Sequence, residues 1–332
     1  MNHLLEPKLD VLVTCFNERE FIAQALESVL CQSAIGLVRK LIVINDGSTD
    51  GSAALLDQLS LRRSEIEVHH IENRGLSGAR NYGLAHCSAP FVALLDGDDI
   101  WHPLKLERQW SEIQRSPAQC AIWYTDYIDF EVAPEDGHPV SVRRYGASNS
   151  EFLQQFFVFD GPIIPSSVVL RRAALNAAGD FDEEIKLFED MELWLRLGCA
   201  GFTAQHVPGF LLLKRRRAGG LSSNPARWEA AMSAITDVIL KKEPSLEPLA
   251  RRRLAYRLAK IGYGYLLDGQ DKEALSTLLR SLAKEPFSLR AILYLSALAL
   301  PFSIRRSALR TIKRTKTPRG DPARRKRLIA EA

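Results

Sequence analysis

The chain has 332 residues, 46% of them hydrophobic and 25% charged, the makeup of a globular protein with room for one large domain and an appendage. The net charge of +4 conceals an imbalance: residues 303–332 carry eleven Lys or Arg against Asp321 and Glu331, a net of +9, leaving about −5 elsewhere. Five cysteines, odd in number and never in a Cys-x-x-Cys pair, exclude a disulfide framework or zinc site and predict reduced thiols in a soluble, cytoplasmic protein. The N-terminus, with acidic Glu6 and Asp10 and no long apolar core, predicts no signal peptide, and the longest apolar run, 291–302, is too short to span a bilayer as a helix.

A first strand is predicted over 9–16, ending at Asn17 as the N-cap of a helix over 18–32, whose Phe21, Ile22, Ala25, Leu26, Val29 and Leu30 share one face. A second strand, 40–44, runs into the turn cluster Asn45-Asp46-Gly47-Ser48-Thr49-Asp50, and a third is expected at 66–71. Residues 75–81 read as a Gly-rich loop entering a helix, and 91–95 as a buried strand without polar alternation. Strands alternating with helices at this spacing predict a three-layer α/β/α sandwich with a mainly parallel sheet. Further on, 105–114 reads as helix, 120–130 as strand, 133–147 as a rim loop and 166–170 as strand. Next come a helix at 189–197 and two short strands, 202–207 and 210–214, split by Pro208-Gly209. From about Arg227 the chain turns helical, and Leu258, Ile261, Gly262, Tyr265, Ala274, Leu278 and Pro286 fall on the spacing of one tetratricopeptide-like hairpin. The expected organisation is thus 1–223 as the α/β domain, 224–302 as a helical extension and 303–332 as a basic tail.

The stretch Leu95-Asp96-Gly97-Asp98-Asp99-Ile100-Trp101 ends the 91–95 strand in three close carboxylates, which repel unless a cation sits among them. Such hard oxygens suit Mg²⁺ or Mn²⁺, and strand tips of open α/β sheets are where ligands bind. Alone, the cluster reads sooner as a solvated Asp-Gly turn. Asp46 at another strand tip and Glu189-Asp190 at a helix start change the balance: together they predict a polar crevice holding a cation and a carboxylate base. His69 and His70, adjacent on a strand, point to opposite faces and make a poor metal pair. Trp101, Trp123 and Trp194 read as packing, with Trp101 kept open as a sugar platform. Neither a dinucleotide fingerprint nor a P-loop follows the first strand.

In order, Val13-Thr14-Cys15-Phe16-Asn17-Glu18, Asn45-Asp46-Gly47-Ser48-Thr49-Asp50, Gly75-Leu76-Ser77-Gly78-Ala79-Arg80-Asn81, Leu95-Asp96-Gly97-Asp98-Asp99, Gly179-Asp180-Phe181-Asp182-Glu183 and Glu189-Asp190-Met191-Glu192-Leu193-Trp194 strongly resemble the family 2 glycosyltransferases over residues 8–223. The resemblance implies the GT-A fold and an inverting, metal-dependent transfer from a nucleotide-diphosphate sugar, with a UDP-sugar favoured. It implies that Thr14 and Asp46 hold the base, that Asn17 and Glu18 line the nucleotide pocket, and that Arg80 and Asn81 lie near the diphosphate. It places Asp96 near ribose and metal, Asp98 as the metal ligand for Mn²⁺ or Mg²⁺, Asp99 behind them as a capping residue, and Asp190 as general base. Where many relatives carry a Tyr-Arg-x-His segment this chain has Lys214-Arg215-Arg216-Arg217, so Arg217 is expected to hold the diphosphate by charge; composition alone fits a solvated basic loop equally well.

The family's habits imply a saccharide or lipid-linked acceptor in cell-surface polysaccharide or glycoconjugate assembly. The basic tail, with Leu309 and Ile312 interleaved, predicts peripheral contact with an anionic membrane at its inner face, and no recognition motif for nucleic acid accompanies the charge. Two rivals stand beside this reading: a sugar nucleotidyltransferase, which would want a glycine-rich phosphate loop after the first strand, and a non-catalytic scaffold, which would have no need of both Asp98 and Asp190.

Overall fold

The computed structural model describes residues 8–217, 225–301 and 304–305. They fall into two compact units, one of residues 8–152 and 161–217 and one of residues 153–160, 225–301 and 304–305. The boundary expected near 223 lies in 218–224, outside the described residues, and so does all but the first part of the basic tail.

The first unit is an α/β fold on a nine-stranded sheet: β1 (Leu9–Cys15), β2 (Val38–Asp46), β3 (Ile66–Ile71), β4 (Phe91–Asp96), β5 (Ile100–Trp101), β6 (Cys120–Phe130), β7 (His138–Val140), β8 (Val168–Arg171) and β9 (Thr203–Arg215). Their order is β3-β2-β1-β4-β8-β6-β9-β5, with β7 beside β6. Strands β3, β2, β1, β4, β6 and β9 run one way, and β8, β5 and β7 run against them. Every residue of β1 is buried, as expected of a parallel strand covered on both faces. Helices α1 (Ile22–Leu30), α2 (Ser52–Arg62), α3 (Gly75–His86), α4 (Lys105–Ile113), α6 (Arg172–Ala178) and α7 (Glu189–Cys199) complete the unit, with α5 (Asn149–Phe159) beginning in it. Gly83 lets α3 lie close on the sheet, since a Cβ there would stand 2.2 Å from Leu12 Cδ1.

Register aligns the strand tips. Thr14 pairs with Asp96 on one side and Ile44 on the other, so the ends of β1, β2 and β4 lie level. On the far side Ile100 pairs with Leu213 and Phe130 with Arg215, which delivers the end of β9 to the Asp98-Asp99 turn.

Three local expectations change. The helix predicted from residue 18 starts at Ile22, because Asn17 adopts φ 54°, a left-handed conformation that Asn tolerates, and does not cap it. The two strands predicted at 202–207 and 210–214 are the single strand β9; its register beside β6 jumps from Thr125↔Val207 to Asp126↔Phe210, so Pro208-Gly209 bulges out without ending the pairing. The rim loop 133–147 contains the short strand β7, and α5 goes unsignalled because apolar residues such as Phe152, Phe156 and Phe157 blur any helical stripe, while α6 is only seven residues long.

The second unit is helical: α8 (Pro225–Lys242), α9 (Glu247–Leu267), α10 (Asp271–Lys284) and α11 (Leu289–Leu298), with residues 153–160 of the α5 segment. Helices α9 and α10 pack as a helical hairpin over the stretch whose spacing was read from the sequence: Leu258, Ile261, Ala274 and Leu278 are buried, and a Cβ on Gly262 would stand 2.6 Å from Leu278 Cγ. Arg253 donates to the Phe157 carbonyl, and both Arg253 and Arg257 pair with buried Asp160. Among the described residues no helix is long and apolar enough to cross a membrane.

Candidate active site

The level strand tips of the first unit gather two carboxylate groups. One comprises Asp96 and the turn after β4, with Gly97 N–H donating to the Thr14 carbonyl at 2.9 Å and Asp99 N–H to the Asp96 carbonyl at 3.0 Å. A Cβ on Gly97 would lie 2.3 Å from Glu18 Oε2, so glycine is what lets Glu18 approach. Thr14 Oγ1 stands 3.5 Å from Asp96 Oδ1. Buried Asp99 accepts Arg215 N–H at 2.9 Å, which pins the end of β9, and its carboxyl is held well above the usual range by burial and by Asp98 and Asp96.

Glu18 is buried, and burial first, then Asp98, raises its carboxyl to about 9. Its Oε1 accepts from Arg217 Nη2 at 2.8 Å, whereas Oε2 is buried with no hydrogen-bond partner. Asp98, raised by burial and lowered by Arg217, meets Arg217 Nε through Oδ2 at 2.7 Å. Arg217 therefore spans the two acids.

The second group opens α7, where Phe188 at φ 62° turns the chain so that Glu189, Asp190 and Glu192 fill the first turn. Negative charge there is favoured by the helix dipole. Asp190 is raised to about 7, chiefly by burial and then by Glu189. That value suits a proton acceptor near neutral pH.

Arg80 joins the two groups: Nη2 donates to Asp96 Oδ1 at 2.7 Å and Nη1 to Glu189 Oε1 at 2.8 Å, with the guanidinium 5.1 Å from the Phe181 ring centroid. Only 2% exposed, it is enclosed by its two carboxylates, where the sequence placed it at the diphosphate. Asn81, likewise expected beside the nucleotide, uses its carboxamide on the chain before α7, accepting Phe181 N–H at 2.9 Å and donating to the Phe181 carbonyl at 2.9 Å and Glu183 Oε1 at 3.0 Å. Arg196 grips the same connection, donating to the carbonyls of Ala178, Gly179 and Asp180 at 2.6–2.7 Å. Asn81 and Arg196 thus hold the loop that delivers Asp190.

Asn17 Oδ1 accepts Thr49 N–H at 2.8 Å and its own N–H donates to Ser48 Oγ at 2.9 Å, tying the β1 tip to the turn after β2. Asp46, 3% exposed, accepts Arg74 N–H through Oδ1 at 2.7 Å. Trp101, left open as a sugar platform, is buried, donates through Nε1 to the Ser166 carbonyl at 2.8 Å and carries Lys105 Nζ 4.0 Å above its ring: it packs. His69 pairs with Glu67 and His70 with Asp57, so they do not converge. Burial and Glu18 push the Cys15 thiol up to about 12, which removes it as a nucleophile at neutral pH.

Among the described residues no three carboxylate, imidazole or thiol groups converge as a ready metal cage. One or two carboxylates completed by substrate phosphates is how Mg²⁺-like ions are commonly held. Asp98 and Asp96, with the unpartnered Glu18 Oε2 beside them, fit that pattern.

Residues 10–176 match the family model described as Glycosyl transferase family 2. The chain belongs to glycosyltransferase family 2. A putative teichuronic acid biosynthesis glycosyltransferase, TuaG of Bacillus subtilis, is 31% identical over 229 residues, 68% of this chain and 85% of that one. Among solved structures of lower identity, which speak for fold, S. aureus TarS 1–349 in complex with UDP-GlcNAc has a TM-score of 0.62 at 18% identity, over 95% of this chain and 94% of that one. The mannosyltransferase PcManGT from Pyrobaculum calidifontis, in complex with GDP-Man and Mn²⁺, has a TM-score of 0.60 at 17% identity, over 98% and 86%. The glycosyltransferase family and GT-A fold implied by the six motifs hold.

Proposed function

We propose that this glycosyltransferase moves a sugar, with inversion, from a nucleoside-diphosphate sugar to a hydroxyl of a saccharide or lipid-linked acceptor during cell-surface polysaccharide or glycoconjugate assembly. The observation that carries it is the pair of carboxylate groups at the strand tips, joined through Arg80: Asp98 faces Arg217, while Asp190, raised to about 7, bonds no arginine among the described residues. The TuaG relationship supports a polymer-building role, and the UDP-GlcNAc bound by the TarS fold supports a UDP-sugar donor.

Each residue then has a task. Asp46 and Thr14 receive the base, the Asp46 oxygen not held by Arg74 being the acceptor for a uracil imide N–H. Asn17 fixes the loop that carries Glu18. Asp98, with Asp96, would hold Mn²⁺ or Mg²⁺. When bound, that ion supplies Lewis-acid stabilisation of charge on the leaving group. Asp190 takes the acceptor hydroxyl's proton as the hydroxyl oxygen attacks the anomeric carbon and the bond to the diphosphate breaks. A single displacement inverts that carbon and needs no enzyme nucleophile. Arg80 keeps the two ends in register, and Asn81 acts through the 181–183 loop.

Location is the second part of the proposal: peripheral attachment to an anionic, cytoplasmic membrane face. In the second unit α11 presents Leu289, Ile292 and Leu293, followed by Leu300 and Ile304, as an exposed apolar stripe. Arg305, paired with Asp271, immediately precedes the basic sequence 306–332. An apolar stripe beside basic sequence is the pattern of an interfacial contact.

The donor class is tested by thermal stabilisation with UDP-, GDP- and other nucleotide sugars, with and without Mn²⁺. Metal-dependent stabilisation by one UDP-sugar is expected; stabilisation by none of them would overturn the proposal.

A further inference from the structure

A cation already stands between two of the site's acids. Arg217 Nε lies 2.7 Å from Asp98 Oδ2 and Nη2 lies 2.8 Å from Glu18 Oε1. The side chains of these acids are 13% and 8% exposed, whereas that of Arg217 is 40% exposed, so the guanidinium closes a buried acidic pair from the solvent side. Behind it Glu18 Oε2 is buried and unpartnered. The backbone is fixed as far as Arg215, whose N–H is held by Asp99 and whose Nε donates to the Asp98 carbonyl at 3.1 Å. Arg217 lies two residues past the end of β9.

We infer that Arg217 is a resident counter-cation that the divalent ion must displace, and that the nucleotide diphosphate is its alternative partner, so that metal and nucleotide load cooperatively. The inference rests on the metal-dependent reading above and extends it to the order of loading. An ion drawing on the Asp98 oxygen that Arg217 holds competes with two charge-assisted hydrogen bonds. If the ion binds alone, the displaced guanidinium loses both partners to water. If a diphosphate binds alone, the Nε–Nη2 edge of Arg217 can turn to it only by leaving Glu18 and Asp98 unpaired beside Asp96 and Asp99. When both bind, the ion neutralises the acids and the diphosphate oxygens take the guanidinium fork. Each ligand therefore raises the other's affinity by the same factor, as linkage requires; couplings of this kind are typically about 5- to 150-fold.

The test titrates Mn²⁺ against the full chain, following free Mn²⁺ by electron paramagnetic resonance, alone and with saturating UDP or GDP. Wild type should bind Mn²⁺ about tenfold or more tightly with nucleotide than without it. Arg217→Met should bind Mn²⁺ alone about tenfold more tightly than wild type, and the nucleotide should then raise that affinity by a smaller factor than it does in wild type. Arg217→Lys, which keeps the charge but cannot fork, should fall between, and a melting curve for each variant checks that it is folded. Equal Mn²⁺ affinity in wild type and Arg217→Met would overturn the inference while leaving metal dependence standing. Failure of any form to bind Mn²⁺, with or without nucleotide, would overturn both.

Discussion

The two carboxylate ends of the site are built from the same residue type and balanced in opposite ways. At the Asp98 end every acid has cationic or backbone compensation: Arg217 spans Asp98 and Glu18, and Arg215 N–H meets Asp99. At the α7 end Arg80 pairs with Glu189, and Asp190 is left with its own neighbouring Met191 N–H at 2.7 Å and a carboxyl raised to about 7. Arginine side chains reach Asp98 and Glu18 at one end, whereas among the described residues none bonds Asp190 at the other. The difference lies in the surrounding charges, and those are set by where distant chain segments arrive.

Breaking either end separates the roles. Asp190→Asn should cut turnover about 100- to 10,000-fold, the usual worth of a positioned base, while nucleoside-diphosphate binding stays within about twofold. Asp98→Asn should weaken Mn²⁺-dependent nucleotide binding by at least the roughly 10- to 100-fold that loss of an outer metal-ligand partner costs, as read by calorimetry. Arg80→Met, which strands Asp96 and Glu189, should destabilise the fold by about 3 kcal/mol, the low end for a broken buried pair because Asp96 is 30% exposed, measured by urea unfolding.

Smaller effects sharpen the contrast. Asp190 is raised in the folded protein, so the stability from its protonated form is present below the ordinary carboxylate range and is lost as pH rises through about 7. Metal-free wild type should therefore lose more melting temperature between pH 5 and 8 than Asp190→Asn does. For the same reason the transfer rate should rise with pH along an acid limb near 7 that the ordinary Asp range would not give. The smallest effect belongs to the second unit: the double change Ile292→Glu and Leu293→Glu should weaken flotation with anionic vesicles several-fold and leave nucleotide binding unchanged.

Much of this was legible in the chain. The strand–turn motifs ending at Asn17, Asp46 and Asp96 announced a sheet with polar tips, because burial of parallel strands leaves apolar runs that stop abruptly. The Leu258–Leu278 spacing announced the helical hairpin. The partners were not legible. Arg80 reads as a phosphate ligand because its sequence neighbours say nothing of Glu189, 109 positions away, and the bridge from Arg217 to Glu18 spans 199 positions. Asn81 reads as a nucleotide contact, and nothing in the sequence around Arg196 signals a role for it. Only the folded loop at 178–183 shows them as the clamps that deliver Asp190.

The most direct measurement sets Asp98→Asn and Asp190→Asn side by side, with UDP or GDP affinity in Mn²⁺ and sugar transfer read on the same preparations. The division of labour predicts that Asp190→Asn binds like wild type without turning over, whereas Asp98→Asn loses binding. Wild-type turnover in Asp190→Asn, or equal loss of binding in both, would contradict it.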